Sequence, residues 1–330
     1  MNSLLPLVRN ETVKIWKKKR FFVILLILAA LIPIFTYAQV MMAENFRKQT
    51  GTNDWRIEAE TQINDYKSRI SSTRLPEEWK KWYRVEIQRL QYYINHNIDP
   101  ASADGVTFAR EFTINSVSLF LPLMVMVIAA DLVSSEHSQG TIKLLLTRPV
   151  RRWKVLTSKY VALTLYVSLT VMCTAALAYV ISGAVLGYSG WRAPVLTGFA
   201  VAGSAVDTSN VHMIEQWQYL LMVLGLAWFS CMTVAVLSMM ISVLVRSTAA
   251  GMGTMLALLI AGTILSNMAS DWESAKYFFM VNLDTVVYLA GQSPPIPGMT
   301  LPFSLGILSL TALGSLVVSY AVFTRRDVMN

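Results

Sequence analysis

One short pattern in the chain has the residue types of a serine nucleophile site. Gly187-Tyr188-Ser189-Gly190 fits a GxSG pattern, in which a serine could attack a carbonyl carbon. Such a serine needs a base to take its proton, and histidine usually has this role. The only histidine that follows Ser189 in the sequence is His212, in a polar stretch beside Glu215. We therefore interpret the pattern as the glycine-rich end of a helix, and intramembrane hydrolysis stays a minor alternative.

Other catalytic and cofactor-binding patterns are absent from the sequence. It contains no Gly-Lys pair, so the phosphate-binding GxxxxGK[ST] loop is missing, and ATP would have to bind another polypeptide. It also lacks HExxH, and Cys173 and Cys231 both lie inside apolar runs. We predict that this chain is not an enzyme and binds no metal or cofactor itself.

Residues 134–159 are the most informative polar stretch, because they lie between two long apolar runs. Gly140-Thr141 can end one helix and cap the next. Residues 142–146 place leucines on a short helix that Pro149 would end. Exposed leucines beside a bilayer suggest a protein partner. Basic residues of this stretch favour a cytoplasmic location: Arg148, Arg151, Arg152, Lys154 and Lys159.

The composition predicts an all-α integral membrane protein. The chain has 330 residues, 54% of them hydrophobic, with several uncharged runs long enough to cross a bilayer as helices. Six spans are expected, with both termini in the cytoplasm, because the short connections on that side hold most of the basic residues. This asymmetry explains the net charge of +8 without nucleic acid. The predicted spans are 21–42, 112–133, 160–187, 217–245, a tight inner turn with the fifth span at 246–270, and 302–323, followed by a tail at 324–330.

One further segment and one charged residue are predicted to lie at the cytoplasmic side of the membrane. Residues 1–20 form an amphipathic interfacial helix whose leucines enter lipid and whose lysines contact headgroups. Asp131, near the inner end of the second span, should face the bundle or cytoplasmic water.

On the outer side, residues 43–111 are predicted to form a helical hairpin, because they contain two sets of apolar residues that each recur at helical spacing. Trp79, Trp82 and Tyr83 either pack this extracellular hairpin or form a docking surface for substrate or an accessory protein. Residues 188–216 are expected to be an outer loop. Residues 271–301 predict a re-entrant or interfacial helix, where Asp284 either caps locally or faces a polar vestibule.

The pattern of Glu136, Gly140-Thr141, Leu144-Leu145, Pro149, Arg151-Arg152 and Lys159 resembles the cytoplasmic loop of type 2 ABC exporter permeases. The resemblance implies that the loop carries a coupling helix that docks on a separate ATPase subunit. Its anchor would be Leu144 and Leu145. The remaining contact, bend and cap residues implied are Glu136, Gly140, Thr141, Pro149, Arg151 and Arg152.

By this resemblance, ATP and Mg²⁺ are held by the partner, and a second copy or a related permease completes the transporter in a bacterial-type cell membrane. The uncharged spans suit a lipophilic, amphipathic or peptide substrate. A basic loop that binds anionic lipid remains an alternative for residues 134–159. A non-transporting sensor or scaffold that uses the hairpin remains an alternative for the whole chain.

Overall fold

The structure, a computed structural model, is mostly helical. It describes residues 4–325 except 53, 73, 74, 76, 101, 103, 139, 142–149, 203, 204, 246, 269–271 and 293. The described α-helices are α1 Leu5–Lys17, α2 Arg20–Thr50, α3 Trp55–Ile70, α4 Glu77–His96, α5 Gly105–Val117, α6 Phe120–Ala129, α7 Ser134–Ser138, α8 Arg152–Leu186, α9 Gln216–Leu244, α10 Thr248–Met268 and α11 Leu301–Arg325.

Among the residues that the structure describes, six helical stretches are long and apolar enough to cross a membrane, as predicted. They are α2, residues 120–138, α8, α9, α10 and α11. The most enclosed helical core lies around residues 120–138 and α9, whereas α2, α10 and α11 are buried over less than a third of their apolar windows. Leu28, Val125, Leu163 and Cys231 are fully buried where α2, α6, α8 and α9 meet.

We call the two ends of this bundle the terminal face and the hairpin face. The terminal face carries α1, the start of α8 and the end of α11, where Arg152 Nη1 donates to Thr324 O at 3.4 Å. The hairpin face carries α3 and α4, which pack antiparallel through Tyr66 and Tyr83, whose rings lie 5.0 Å apart. The predicted pair of helices within residues 43–111 is therefore present.

The second predicted span, residues 112–133, is interrupted by a break in the helix, and its part from Phe120 onward lies in the candidate span of residues 120–138. α5 ends at Val117 and α6 begins at Phe120, with Leu119 in a non-helical conformation (φ −141°). Pro122 explains the break, because it has no N–H to donate to Ser118 O and is tolerated in the first turn of a new helix. The helical stretch also begins earlier than predicted, since Asp104 caps α5 by accepting a hydrogen bond from the Thr107 N–H at 2.8 Å.

Residues 188–216 contain short strands, which the all-α prediction missed. β1 Pro194–Thr197 pairs antiparallel with β4 His212–Glu215, and β2 Ala200–Ala202 pairs with β3 Ala205–Asp207. The register places Pro194 opposite Glu215. Gly198 turns between the first two strands at φ +93°, where a Cβ atom would lie 2.2 Å from Asn210 O.

One further helix boundary and the structure of one further segment differ from the predictions. α8 begins at Arg152 rather than at residue 160, so the last part of the predicted 134–159 loop is helical. Residues 271–301 contain three short 3₁₀ helices instead of one helix: Glu273–Tyr277, Phe279–Asn282 and Thr285–Tyr288. We call residues 273–288 the 3₁₀ segment. It packs against α9, α10 and α11 at the hairpin face.

Candidate functional site

Charged side chains from α1, the start of α2, the α6–α7 stretch and α8 meet at the terminal face in a buried cluster, which we call the ion junction. It joins three carboxylates to four cations: Glu11, Asp131 and Glu136 with Lys14, Lys18, Arg20 and Lys159. Burying an unpaired ion costs several kcal/mol, so a cluster of this kind persists only when the charges satisfy one another.

Lys159 is the centre of the ion junction and is fully buried. Its ammonium group donates to Glu11 Oε2 at 2.8 Å and to Leu132 O at 3.0 Å, and it lies 2.8 Å from Glu136 Oε1. These three acceptors use all three of its N–H donors. A single side chain of α8 therefore holds both α1 and the end of the second span.

Lys14 closes the same cluster from α1. Its ammonium lies 2.8 Å from Glu11 Oε1 and 2.7 Å from Glu136 Oε1. Burial lowers the pKa of Lys14, but the bonds to the two carboxylates outweigh it, and the pKa is raised above its usual value. Lys14 is thus a permanent cation in this arrangement.

Glu136 is 7% exposed, and one of its two carboxylate oxygens receives both lysines. The other, Oε2, is buried without a hydrogen-bond partner among the described residues. A cavity of about 20 Å³, enough for about one water molecule, lies beside this glutamate and Asp131. This carboxylate is therefore held by the charges of two lysines rather than by complete hydrogen bonding of both oxygens.

Asp131 forms the second half of the ion junction. Its two oxygens contact Lys18 Nζ at 2.6 Å and Arg20 Nη2 at 3.1 Å. Lys18 also donates to Ser135 Oγ at 2.6 Å, and Arg20 to Val127 O at 3.2 Å. Asp131 faces the bundle, as predicted. Lys14 and Lys18, which were predicted to contact headgroups, bond to carboxylates in the ion junction.

The backbone beside these ions is also fixed. The N–H groups of Val133 and Ser134 both donate to Ser242 Oγ of α9, at 3.1 and 2.9 Å. Tyr166 of α8 donates from its hydroxyl to Thr12 O at 3.0 Å, so α1 is tied to α8 a second time. The ion junction therefore lies on rigid elements at every side that the structure describes.

The residues predicted to couple to a partner fall at and beyond this junction. Glu136 is inside it, while Gly140 adopts φ +69° and Thr141 Oγ1 donates to Glu136 O at 3.4 Å. Arg151 is exposed just before α8, and Arg152 is half-buried against the end of α11. Leu144, Leu145 and Pro149 lie outside the described residues.

The other predicted contact residues lie at the hairpin face. Tyr83 is buried between α3 and α4, Trp82 packs edge-on against Tyr66 at 5.9 Å, and Trp79 is 51% exposed. Asp284 precedes the last 3₁₀ helix and borders a separate cavity. The predicted residues thus occupy three places rather than one site.

Sequence reasoning missed Glu11, Lys14 and Lys159 as members of one site. The available signals were weak: Glu11 and Lys14 are three residues apart on an amphipathic helix, and Lys159 begins an apolar run. An ionisable residue inside a candidate span is usually functional, and Lys159 meets that criterion.

The residues considered for serine hydrolysis and for metal binding are placed as follows. His212 opens β4, with its Nδ1 3.0 Å from Asn210 O, and Ser189 follows the end of α8. Within the described ranges, no three His, Cys, Asp or Glu side chains gather where they could hold a metal ion.

Comparison with known proteins gives relatives whose functions are not established. A family model described as "Protein of unknown function (DUF2705)" matches residues 82–329. "Uncharacterized protein YhcI" of Bacillus subtilis (strain 168) is 27% identical over 338 aligned residues, 99% of this chain and 100% of that protein. "Uncharacterized membrane protein YdbK" of the same organism is 28% identical over 215 residues, 64% of this chain and 80% of that protein. Together with the six apolar helices, the similarity to a membrane protein identifies a multi-pass membrane protein.

Proposed function

The chain belongs to the DUF2705 family, whose function is unknown, and from this premise we propose that it is the permease subunit of a type 2 ABC exporter. In this proposal a separate subunit binds ATP and Mg²⁺, and a second copy or a related permease completes the transporter. One observation carries the proposal: the ion junction ties together the two ends of the 139–151 connection, where the resemblance places a coupling helix.

The connection leaves α7 just after Glu136 and returns into α8, which contains Lys159. The 2.8 Å contact between these two side chains prevents the ends from separating without breaking a buried ion pair. Breaking such a pair by removing one partner typically costs about 3–5 kcal/mol. A push on the connection would therefore move the second span and α8 together, which is what transmission from an ATPase requires.

α1 belongs to the same moving unit in this proposal. Glu11 and Lys14 contribute to the ion junction, so displacement of α8 also displaces the N-terminal helix. Its apolar residues Leu5, Val13 and Trp16 are exposed and would lie in lipid at the inner membrane surface. This placement puts both termini in the cytoplasm, in agreement with the basic connections on that side.

The roles of the coupling residues divide between contact and positioning. Leu144 and Leu145 are the proposed anchors in a groove of the ATPase, where their burial would contribute roughly 3–6 kcal/mol before association costs. Glu136 positions the connection from inside the bundle instead of contacting the partner, because it is buried and bonded to two lysines. Exposed Arg151 is the better candidate for a polar contact with the partner.

In this proposal the low charge of the spans indicates the class of substrate. They are nearly free of charge, which suits a lipophilic, amphipathic or peptide cargo. The least enclosed spans are α10 and α11, and these would face lipid or the second permease.

Leu145→Asp tests the proposal. We expect the variant to reach the membrane but to lose capture of an ATPase subunit and substrate-stimulated ATP hydrolysis, because a carboxylate does not enter an apolar groove. Leu145→Met, which keeps apolar volume, is the matched control and should retain both. Measurements are pull-down from solubilised cells and ATPase assays in liposomes.

An unchanged Leu145→Asp variant would refute the docking role. A wild-type chain that captures no ATPase, yet needs its hairpin for function in cells, would instead support the sensor or scaffold alternative. Hydrolytic activity of the purified chain alone would support the hydrolase alternative.

A further inference from the structure

A second cavity lies at the hairpin face, beside the C-terminal end of α10 and away from the ion junction. It has a volume of about 310 Å³ and is bordered by the α5–α6 break, the last turns of α10 and the 3₁₀ segment. Cavities that bind small molecules begin at about this size. The break contributes directly, because Ser118 forms part of the wall.

The wall of this cavity contains neutral oxygen atoms. Thr263, Ser266 and Asn267 share one face of α10, at helical spacing, and Ser118 faces the cavity from the α5–α6 break. Asn267 Nδ2 donates one hydrogen bond to Thr263 O at 2.7 Å, and the amide carbonyl oxygen of Asn267 can accept a hydrogen bond. The polar wall is therefore rich in acceptors.

Asp284 supplies the one carboxylate among the described lining residues. No described cation lies within ion-pair distance of it, in contrast to every carboxylate of the ion junction. Burial raises the pKa of Asp284 to about 6, although the backbone N–H of Val287 acts in the opposite direction. A carboxylate beside a cavity and without a counter-ion is arranged to receive a cation from outside the chain.

The rest of the wall defines which cation fits. The described lining residues offer a single carboxylate, which is a poor ligand set for a tightly held divalent metal ion. A quaternary ammonium group is usually held by aromatic rings, and none belongs to the described lining. Hydroxyl and amide oxygens beside a carboxylate match the three N–H donors of a primary ammonium group. Met280, Val281 and Leu283 provide an apolar surface for an attached hydrocarbon chain.

We propose that this cavity binds the primary ammonium group of an amphiphilic molecule, with Asp284 as counter-ion and the α10 oxygens as hydrogen-bond acceptors. The ammonium group belongs either to a free lipophilic amine or to the headgroup of a lipid. The site does not depend on the proposed permease function, because binding is a property of this chain alone.

Binding should strengthen as pH rises, because only the ionised Asp284 attracts the ammonium. Between pH 5 and 7 the ionised fraction rises about tenfold for a group that titrates near 6, and the affinity should rise by the same factor. Tyr288 is a titratable group that interacts electrostatically with Asp284. The pKa of Tyr288 is raised, first by burial, so the Tyr288 hydroxyl stays neutral between pH 5 and 7. Other charged residues on elements packed against the 3₁₀ segment or within it are Arg110, Glu111, Glu273, Lys276 and Arg325.

The test is a calorimetric titration of the purified full chain, in a neutral detergent, with hexylammonium chloride at pH 5 and 7. We expect saturable binding that is about tenfold tighter at pH 7. Hexanol and hexyltrimethylammonium should bind at least tenfold more weakly, because the first lacks charge and the second lacks N–H donors. Equal binding of hexanol, or affinity independent of pH, would overturn the proposal.

Asp284→Asn is the decisive variant, and Glu273→Gln is its control. Asparagine is nearly isosteric and neutral, so the fold should persist while hexylammonium binding falls at least tenfold at pH 7. Glu273 is an exposed acid on the same segment that does not line the cavity, and its neutralisation should leave binding unchanged. A second variant, Ser266→Leu, fills the cavity without changing charge and should also weaken binding. Wild-type affinity in Asp284→Asn would refute the assignment.

Nanodiscs distinguish the two sources of the ammonium group. If the wild type retains phosphatidylethanolamine in preference to phosphatidylcholine through purification, and Asp284→Asn does not, the ligand is a lipid headgroup. Binding of hexylammonium without such a lipid preference would assign the site to free amines.

Discussion

The fully buried ammonium of Lys159 lies 2.8 Å from Glu136 Oε1, and these two residues stand at the two ends of the connection between the second span and α8. Glu11 contacts the same ammonium at 2.8 Å from α1, so three parts of the chain meet at one nitrogen atom. A bundle held in this way transmits a displacement of the connection to several helices at once.

Lys159→Met should destabilise the protein by roughly 3–5 kcal/mol, because Glu11 and Glu136 would lose their shared cation in a buried place. The measurement is thermal unfolding of the purified protein in detergent. Lys48→Met is the control, since Lys48 is 74% exposed and lies 4.0 Å from Glu44; its loss should change little. Adding Glu136→Gln to Lys159→Met should recover part of the lost stability by removing an uncompensated charge. Equal melting of Lys159→Met and the wild type would contradict the central role of this cation.

Lys18 and Asp131 should show a measurable interaction free energy in a double-mutant cycle. The variants are Lys18→Met, Asp131→Asn and their combination, with unfolding in sodium dodecyl sulfate as the measurement. We expect a coupling of about 0.5–3 kcal/mol, as for neighbouring residues in one network. The exposed pair Arg69 and Asp65, at the similar distance of 2.7 Å, is the matched control and should couple by about 0.5 kcal/mol or less. Similar coupling in both cycles would show that burial adds nothing at Asp131.

The sequence predicted features that local periodicity and charge determine. The fourth predicted span, 217–245, differs from α9 by one residue at each end. The hairpin was predictable because stripes such as Ile63 in α3 and Tyr83 in α4 recur at helical spacing, and both residues are buried. Runs of this length carry enough repeats for the helical period to be distinct.

Features that depend on distant partners were not predictable. Glu11 and Lys159 are 148 residues apart, and no local pattern shows that a lysine at the start of an apolar run will meet that glutamate. The strands of residues 194–215 are three or four residues long, too short for an alternating pattern to stand out. Pro122 was seen inside the second span, but whether a proline bends or breaks a helix depends on its packing neighbours.

Asp284→Asn should stabilise the protein in a pH-dependent way. Burial raises the pKa of Asp284 in the folded chain to about 6, above its ordinary value, so the fold favours the protonated carboxyl. The stability associated with this group is therefore present below about pH 4 and is lost as pH rises through 6. The melting temperature of Asp284→Asn relative to the wild type should accordingly increase from pH 5 to pH 7.5, measured without added amines. A difference that shrinks over this interval would mean that the ionised form is stabilised in the fold.

Phe199→Ala should release the α3–α4 hairpin from the rest of the hairpin face. The Phe199 ring is 5% exposed and lies 5.4 Å from the Tyr92 ring and 6.1 Å from the Tyr93 ring of α4. A Cβ atom added at Gly291 would lie 2.2 Å from Phe199 Cβ. Phe199 therefore also packs closely against Gly291, which follows the 3₁₀ segment in the chain. Removing a buried phenylalanine typically costs about 3–5 kcal/mol, and much of that loss should fall on the hairpin contact.

Hydrogen exchange measured by mass spectrometry would detect this release. Peptides from α4 should exchange faster in Phe199→Ala, whereas peptides from the start of α8 should keep wild-type rates, because the ion junction is at the opposite end of the bundle. Trp79→Ala is the matched aromatic control, since Trp79 is 51% exposed and its truncation leaves the docking contacts of α4 in place. Faster exchange in both variants, or in neither, would show that the hairpin is held by its own packing rather than by Phe199. The Val206 N–H also donates to Gln88 Oε1 at 2.9 Å, but a single hydrogen bond is too weak to hold two helices once the aromatic packing is lost.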